Sequence, residues 1–143
     1  MPKDDIRIEA NGCLDELNAV IGIVRSMLAA KDAWQELLHA VQRELMVVMS
    51  HVATPSGVVN PNPLSAAELT LRCEQEMDAM TVLLTDNGYF LLPGGTPISA
   101  QLQFARTVAR RAGGADLQHI PPHPELVPLQ TDIVPLILDP HQL

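Results

Sequence analysis

The sequence is poor in aromatic side chains, cysteine and basic residues. One Trp, one Tyr and two Phe leave the core to aliphatic side chains and six Met, an inventory that suits packed helices. The two cysteines, Cys13 and Cys73, form no Cys-x-x-Cys spacing, which argues against a disulfide framework and a cysteine zinc site. We therefore expect a reduced, cytoplasmic setting.

The shortage of positive charge argues against a nucleic-acid-binding protein. Nine basic residues against 17 acidic ones give a net charge of −8, which would repel a phosphate backbone, so nucleic acid is not an expected partner. No run approaches the roughly 18 apolar residues of a membrane helix, and the start lacks the apolar core of a signal peptide. A soluble chain of 143 residues, with no membrane partner, predicts one core.

Apolar residues at steps of three and four predict four helices. The first spans about residues 9–30, and Asp32 with Gln35 is expected to cap the second, which ends near residues 55–57. A capping box at residues 65–68 starts the third, which ends at residues 86–88. Thr96 and Pro97 begin the fourth, and residues 113–114 end it.

These elements, with no convincing alternating strand, predict an all-α fold, an antiparallel bundle of four long helices. The bundle occupies residues 1–114. Residues 115–143 form an irregular, proline-rich tail of the same domain, since they hold six of the twelve prolines and no Lys or Arg.

The fourth helix carries Arg106, Arg110 and Arg111 directly after the glycine-proline loop of residues 90–97. Arg106 and Arg110 share one helix face, and paired guanidinium groups suit a triphosphate or a carboxylate. The alternative is that these arginines only complement the negative pole of the helix, an effect of about 0.3 to 1 kcal/mol.

Two motifs together carry a family resemblance. Residues 3–18 contain Lys-Asp-Asp, Glu-Ala, Gly and Asp-Glu-Leu-Asn, and residues 90–111 contain Phe-x-Leu-Pro-Gly-Gly followed by Arg-x-x-x-Arg-Arg. In order and separation they resemble the cobalamin adenosyltransferases of the propanediol-utilisation type, over roughly residues 3–112.

The resemblance implies a five-helix, ferritin-like bundle. It implies transfer of the 5′-deoxyadenosyl group of ATP to the cobalt(I) of a corrinoid (cobalamin), giving adenosylcobalamin and triphosphate, with Mg2+ accompanying the nucleotide. It also implies a homotrimer, in which the substrates lie between the first helix of one subunit and the fourth of another, and possible cooperation with a corrinoid reductase.

By motif position, Arg106 would bind the phosphates of the nucleotide, and Arg110 would pair with Asp15. Phe90 would keep the lower axial side of cobalt dry. The other cofactor-binding positions that the resemblance implies are Lys3, Glu9, Asn18 and Arg111. The competing interpretations are a solvated first-turn acid for Asp15 and an ordinary core side chain for Phe90.

Several departures keep other functions open. The phosphate loop expected before Lys3 is absent, Gly113 and Gly114 replace an expected Glu-Arg, and the last helix motif is missing, as after a change of reading frame or in a proline-rich strap. The alternatives are a noncatalytic corrinoid- or nucleotide-binding bundle and a purely structural one. Glu36 and His39 have di-iron spacing, but a single such motif predicts no metal site.

Overall fold

A computed structural model describes residues 6–55, 57–63, 66–81 and 92–116. Every element in these ranges is helical, so the predicted all-α class is confirmed. The elements are α1 (Ile6–Met27), α2 (Trp34–Ala53), α3 (Ala66–Thr81), α4 (Pro97–Arg110) and a π-helical turn (Arg111–Asp116).

Helix α1 is the centre of the bundle, because it packs on α2 along one side and on α4 and the π-helical turn along the other. Its buried positions Leu14, Leu17, Ile21 and Val24 repeat with helical spacing, whereas Leu28, which continues this spacing, follows the end of α1 and is half-buried. Leu17 of α1, Leu45 of α2 and Val108 of α4 are each at most 2% exposed. The small side chains of Ala105 and Ala109 let α4 approach closely.

Polar side chains set the register of α1 on α2. The Nδ2 of Asn11 donates to the carbonyl of Met49 (3.3 Å), and the Nδ2 of Asn18 donates to that of Gln42 (3.4 Å). The Nε2 of Gln42 returns a bond to the carbonyl of Asn18 (3.2 Å). Because seven residues along α1 correspond to seven residues back along α2, the two helices are antiparallel.

The start of α2 corrects the predicted cap. The N-cap residue is Ala33, which makes no side-chain capping bond, although Asp32 Oδ1 accepts from the Trp34 N–H (2.8 Å). Gln35 turns towards α1 instead, where its Nε2 donates to the carbonyl of Arg25 (2.8 Å). The capping box was wrong because the free carbonyls at the end of α1 compete for the amide of Gln35.

The predicted start of α4 is confirmed. Thr96 Oγ1 accepts from the Ser99 N–H (3.1 Å), Pro97 holds the first helical position, and Gly94 takes a φ of +116° that favours glycine. The predicted end is wrong, since the α-helix stops at Arg110 and the chain continues through both glycines as the π-helical turn.

The predicted capping box of the third helix begins at residue 65, and its predicted end is at residues 86–88; both positions lie outside the described residues. None of the described helices is long and apolar enough to cross a membrane.

Candidate functional site

The arginine face of α4, formed by Arg106 and Arg110, lies away from the side that packs on α1. Ala105 and Ala109 are buried, Arg106 is half-buried and Arg110 is exposed. The Nε of Arg106 donates to Oε1 of Gln103, one turn earlier, at 2.9 Å. Because Gln103 is neutral, this bond orients the guanidinium without cancelling its charge.

Helix α1 presents two adjacent acids in different directions, since neighbouring residues of a helix point about 100° apart. Glu16 meets α4, where its Oε2 lies 2.5 Å from Nη2 of Arg111. Asp15 is exposed and faces the groove beside α2. The described residues therefore hold a Glu16–Arg111 pair, and they do not join Asp15 to Arg110 within one chain.

Arg111 has a second partner on α1. Hydrogen bonding to the side chain of Cys13 and the Glu16 carboxylate raise the pKa of Arg111 above its ordinary value. Cys13 is buried, and it precedes Glu16 by three residues on the same side of α1. One guanidinium thus spans a full turn of the neighbouring helix.

An open groove of about 430 Å3 runs between α1 and α2. Its lining combines charged, amide and small residues: Asp15, Asn18, Ala19, Gly22, His39, Gln42, Arg43 and Met46. Asn18 stands at the groove, and its Oδ1 is buried without a hydrogen-bond partner. Because that oxygen is closed to solvent, a ligand in the groove reaches it only after the Asn18 side chain turns.

The remaining predicted positions are dispersed. Glu9 is exposed in the first turn of α1, and Lys3 and Phe90 lie outside the described residues. No group of three or more His, Cys, Asp or Glu in the described ranges could hold a metal ion. Glu36 pairs with Arg72 at 3.1 Å, whereas His39 lines the groove.

Sequence reasoning missed the roles of Glu16, Cys13 and Gln103. The available signal was the acid doublet at residues 15 and 16, in which the motif singles out only the first member. Glu16 and Arg111 stand 95 positions apart, so only the packing of α1 on α4 pairs them.

The chain resembles known proteins over most of its length. The cobalamin adenosyltransferase family model matches residues 1–114. A corrinoid adenosyltransferase from Mycobacterium leprae is 32% identical over 130 residues, covering 87% of this chain and 68% of the relative. The human corrinoid adenosyltransferase MMAB is 37% identical over 116 residues, covering 78% of this chain and 46% of the relative.

The chain thus spans about two thirds or less of these relatives' lengths. A solved structure of a variant PduO-type ATP:corrinoid adenosyltransferase from Lactobacillus reuteri, complexed with cobalamin and ATP, has the same fold. It superposes with a TM-score of 0.82 at 24% identity, covering 96% of this chain and 79% of that one. On the family match and these relatives, the chain belongs to the cobalamin adenosyltransferase family.

Proposed function

We propose that this chain transfers the 5′-deoxyadenosyl group of ATP to a cobalt(I) corrinoid. The cobalt supplies an electron pair to the 5′ carbon of the nucleotide, the carbon–oxygen bond breaks, and triphosphate leaves with that bond's electrons. The cofactor carries the reactive centre, so the protein's part is position and charge. The observation that carries this proposal is the arginine face of α4 in a chain of this family.

Arg106 is assigned to the phosphates of the nucleotide. Its guanidinium is half-buried, oriented by Gln103 and without a carboxylate partner in the described contacts, so its fork can donate two parallel bonds to phosphate oxygens. Holding the leaving triphosphate stabilises the charge that develops as the carbon–oxygen bond breaks.

The other substrate contacts are proposed from motif position. Phe90 would cover the lower side of the corrinoid, and Lys3 and Asn18 would contact the nucleotide; Asn18 lines the groove between α1 and α2. Magnesium would arrive with ATP, because this ion is usually held by phosphate oxygens and one or two carboxylates. Glu9, exposed near the start of α1, is the carboxylate proposed for it.

We also propose that the active assembly is a homotrimer in which Asp15 of one copy pairs with Arg110 of another. Both side chains are exposed and carry opposite charge, and neither makes an ion pair with another described residue of the same chain. The outer face of α1 around Asp15 is small and apolar, with Ile8 and Ile23 39% and 43% exposed. Such a face suits burial against a second copy.

The activity is tested by supplying ATP, magnesium and chemically reduced cobalamin, and following the visible spectrum. Arg106→Ala should lower kcat/KM about ten- to hundredfold, since it removes a charged hydrogen bond worth about 1.5 to 3 kcal/mol. Arg72→Ala removes an equally charged side chain from α3 and should leave the rate unchanged. Tight binding of ATP or cobalamin without turnover would replace this proposal with the noncatalytic binding function.

The assembly is tested separately by sedimentation velocity. Asp15→Arg and Arg110→Asp should each dissociate the trimer, because like charges would then meet across the interface. The doubly exchanged chain should reassemble. A wild-type protein that sediments as a monomer at micromolar concentration would refute the assembly, whatever its activity.

A further inference from the structure

We infer that the Glu16–Arg111 ion pair is a positioning device that orients the arginine face of α4, with Arg106 towards the nucleotide and Arg110 towards Asp15 of a second copy. The inference rests on the proposed function, since it concerns how Arg106 and Arg110 reach their ligands. It gives Arg111 a role distinct from direct contact with a cofactor, because its guanidinium is already bound to Glu16 and Cys13.

The geometry of α4 places its arginines on two different sides. Each residue advances about 100° around the helix, so Arg106 and Arg110 lie about 40° apart, whereas Arg111 lies about 100° beyond Arg110. The buried residues Ala105 and Ala109 face α1. Holding Arg111 on α1 therefore fixes the rotation of α4 about its axis, and with it the direction of the other two arginines.

The location of the pair makes this control effective. Arg111 stands where the α-helix gives way to the π-helical turn, and its N–H donates to the carbonyls of Thr107 and Val108. The last turn of α4 ends at this junction. Arg110 belongs to that turn, so an anchor at the next residue limits how far Arg110 can stray.

Because the Glu16–Arg111 pair is exposed, it can orient α4 while contributing little to stability. The side chains of Arg111 and Glu16 are 51% and 43% exposed, and ion pairs of this kind contribute little to the free energy of unfolding. Removing the pair should therefore loosen the end of α4 while the bundle stays folded. We therefore expect loss of the pair to weaken nucleotide binding and to leave corrinoid binding unchanged.

The test compares Glu16→Gln, Arg111→Gln and the exchanged double variant Glu16→Arg with Arg111→Glu. Each single variant should raise the KM for ATP about fivefold, the factor that matches an exposed ion pair, with the KM for cobalamin unchanged. The exchanged variant should recover most of the loss. Amide exchange in the last turn of α4 should be several-fold faster in the single variants and slow in the exchanged one.

The chain offers a matched control in the Glu36–Arg72 pair, which also joins two helices and is 82% and 41% exposed. Glu36→Gln should change neither the KM for ATP nor exchange in α4. The positioning role would be overturned if Glu16→Gln and Glu36→Gln changed the KM for ATP equally. It would also be overturned if the exchanged variant had a KM for ATP as high as the single variants. A wild-type chain that binds no ATP would instead remove the proposed function, and this inference with it.

Discussion

Replacing Gly12 by alanine should stabilise the isolated fold. Gly12 lies inside α1 and is exposed, and apart from its chain neighbours and the backbone of its own helix, no heavy atom of the described residues lies within 4 Å of the position that a Cβ would take. Glycine in a helix interior is about 0.8 to 1 kcal/mol less favourable than alanine, because it loses more backbone freedom on folding. Nothing inside the chain offsets that cost.

The expected gain in the free energy of unfolding is therefore about 0.5 to 1 kcal/mol. With a urea dependence near 2 kcal/mol per molar, the unfolding midpoint should rise by about 0.25 to 0.5 M. Circular dichroism at a protein concentration low enough to keep the chain monomeric measures this shift. Ala19→Gly, on the same exposed side of α1, should move the midpoint down by a similar amount.

The same substitution probes the proposed assembly. Gly12 lies one turn before Asp15 on the outer face of α1, where a second copy is proposed to approach. If the neighbouring helix comes close there, Gly12→Ala should stabilise the monomer and weaken the trimer in sedimentation. A lower urea midpoint in the monomer would refute the reasoning, because it would mean that the fold itself requires glycine at this position.

Three further predictions concern the bundle itself. Leu45→Ala should cost about 2 to 5 kcal/mol of unfolding free energy. Met46 is 60% exposed, so Met46→Ala should change the unfolding free energy by less than about 0.5 kcal/mol. Similar losses in the two variants would contradict the assigned core. Gln42→Ala should cost about 1 to 3 kcal/mol in urea unfolding, since the Nη1 of half-buried Arg25 loses an acceptor at 2.8 Å and the carbonyl of Asn18 loses a donor at 3.2 Å. Arg25→Met should remove only the part of that cost that comes from the Arg25 bond. Burial raises the pKa of the Cys73 thiol to about 11 from 9.0, so its stabilising contribution is complete below pH 9 and lost as pH rises towards 11. The stability difference between the wild type and Cys73→Ala should shrink across that range, and a constant difference would contradict the shift.

The helical framework was predictable because its signals are local. The spacing of Leu14, Leu17 and Ile21 marks the buried side of α1, and all three side chains are buried there. Thr96 and Pro97 specify the start of α4 from within a single turn, and both act as predicted. Such signals need no knowledge of which helix packs where.

The helix boundaries were predicted wrongly at residues that interact with a neighbouring element of the fold as well as with their own helix. Gln35 has the spacing of a capping residue for α2, yet the carbonyl of Arg25 at the end of α1 attracts its amide. Gly113 and Gly114 are common helix terminators, but here they lie within a π-helical turn that packs on α1. In both cases tertiary packing overrode the local preference.

Asp15 and Glu16 are adjacent in α1, but they have different roles because their side chains point in different directions. Glu16 turns towards α4 and binds Arg111 within the chain, while Asp15, about 100° away, remains exposed for the partner proposed in a second copy. A negative charge at both positions is needed under this arrangement, because neither acid can reach the other's arginine without rotating α1 and exposing its buried Leu14 and Leu17. The apolar seam of α1 therefore does more than stabilise the bundle: by fixing the rotation of the helix, it determines which acid closes the subunit and which one remains available for assembly.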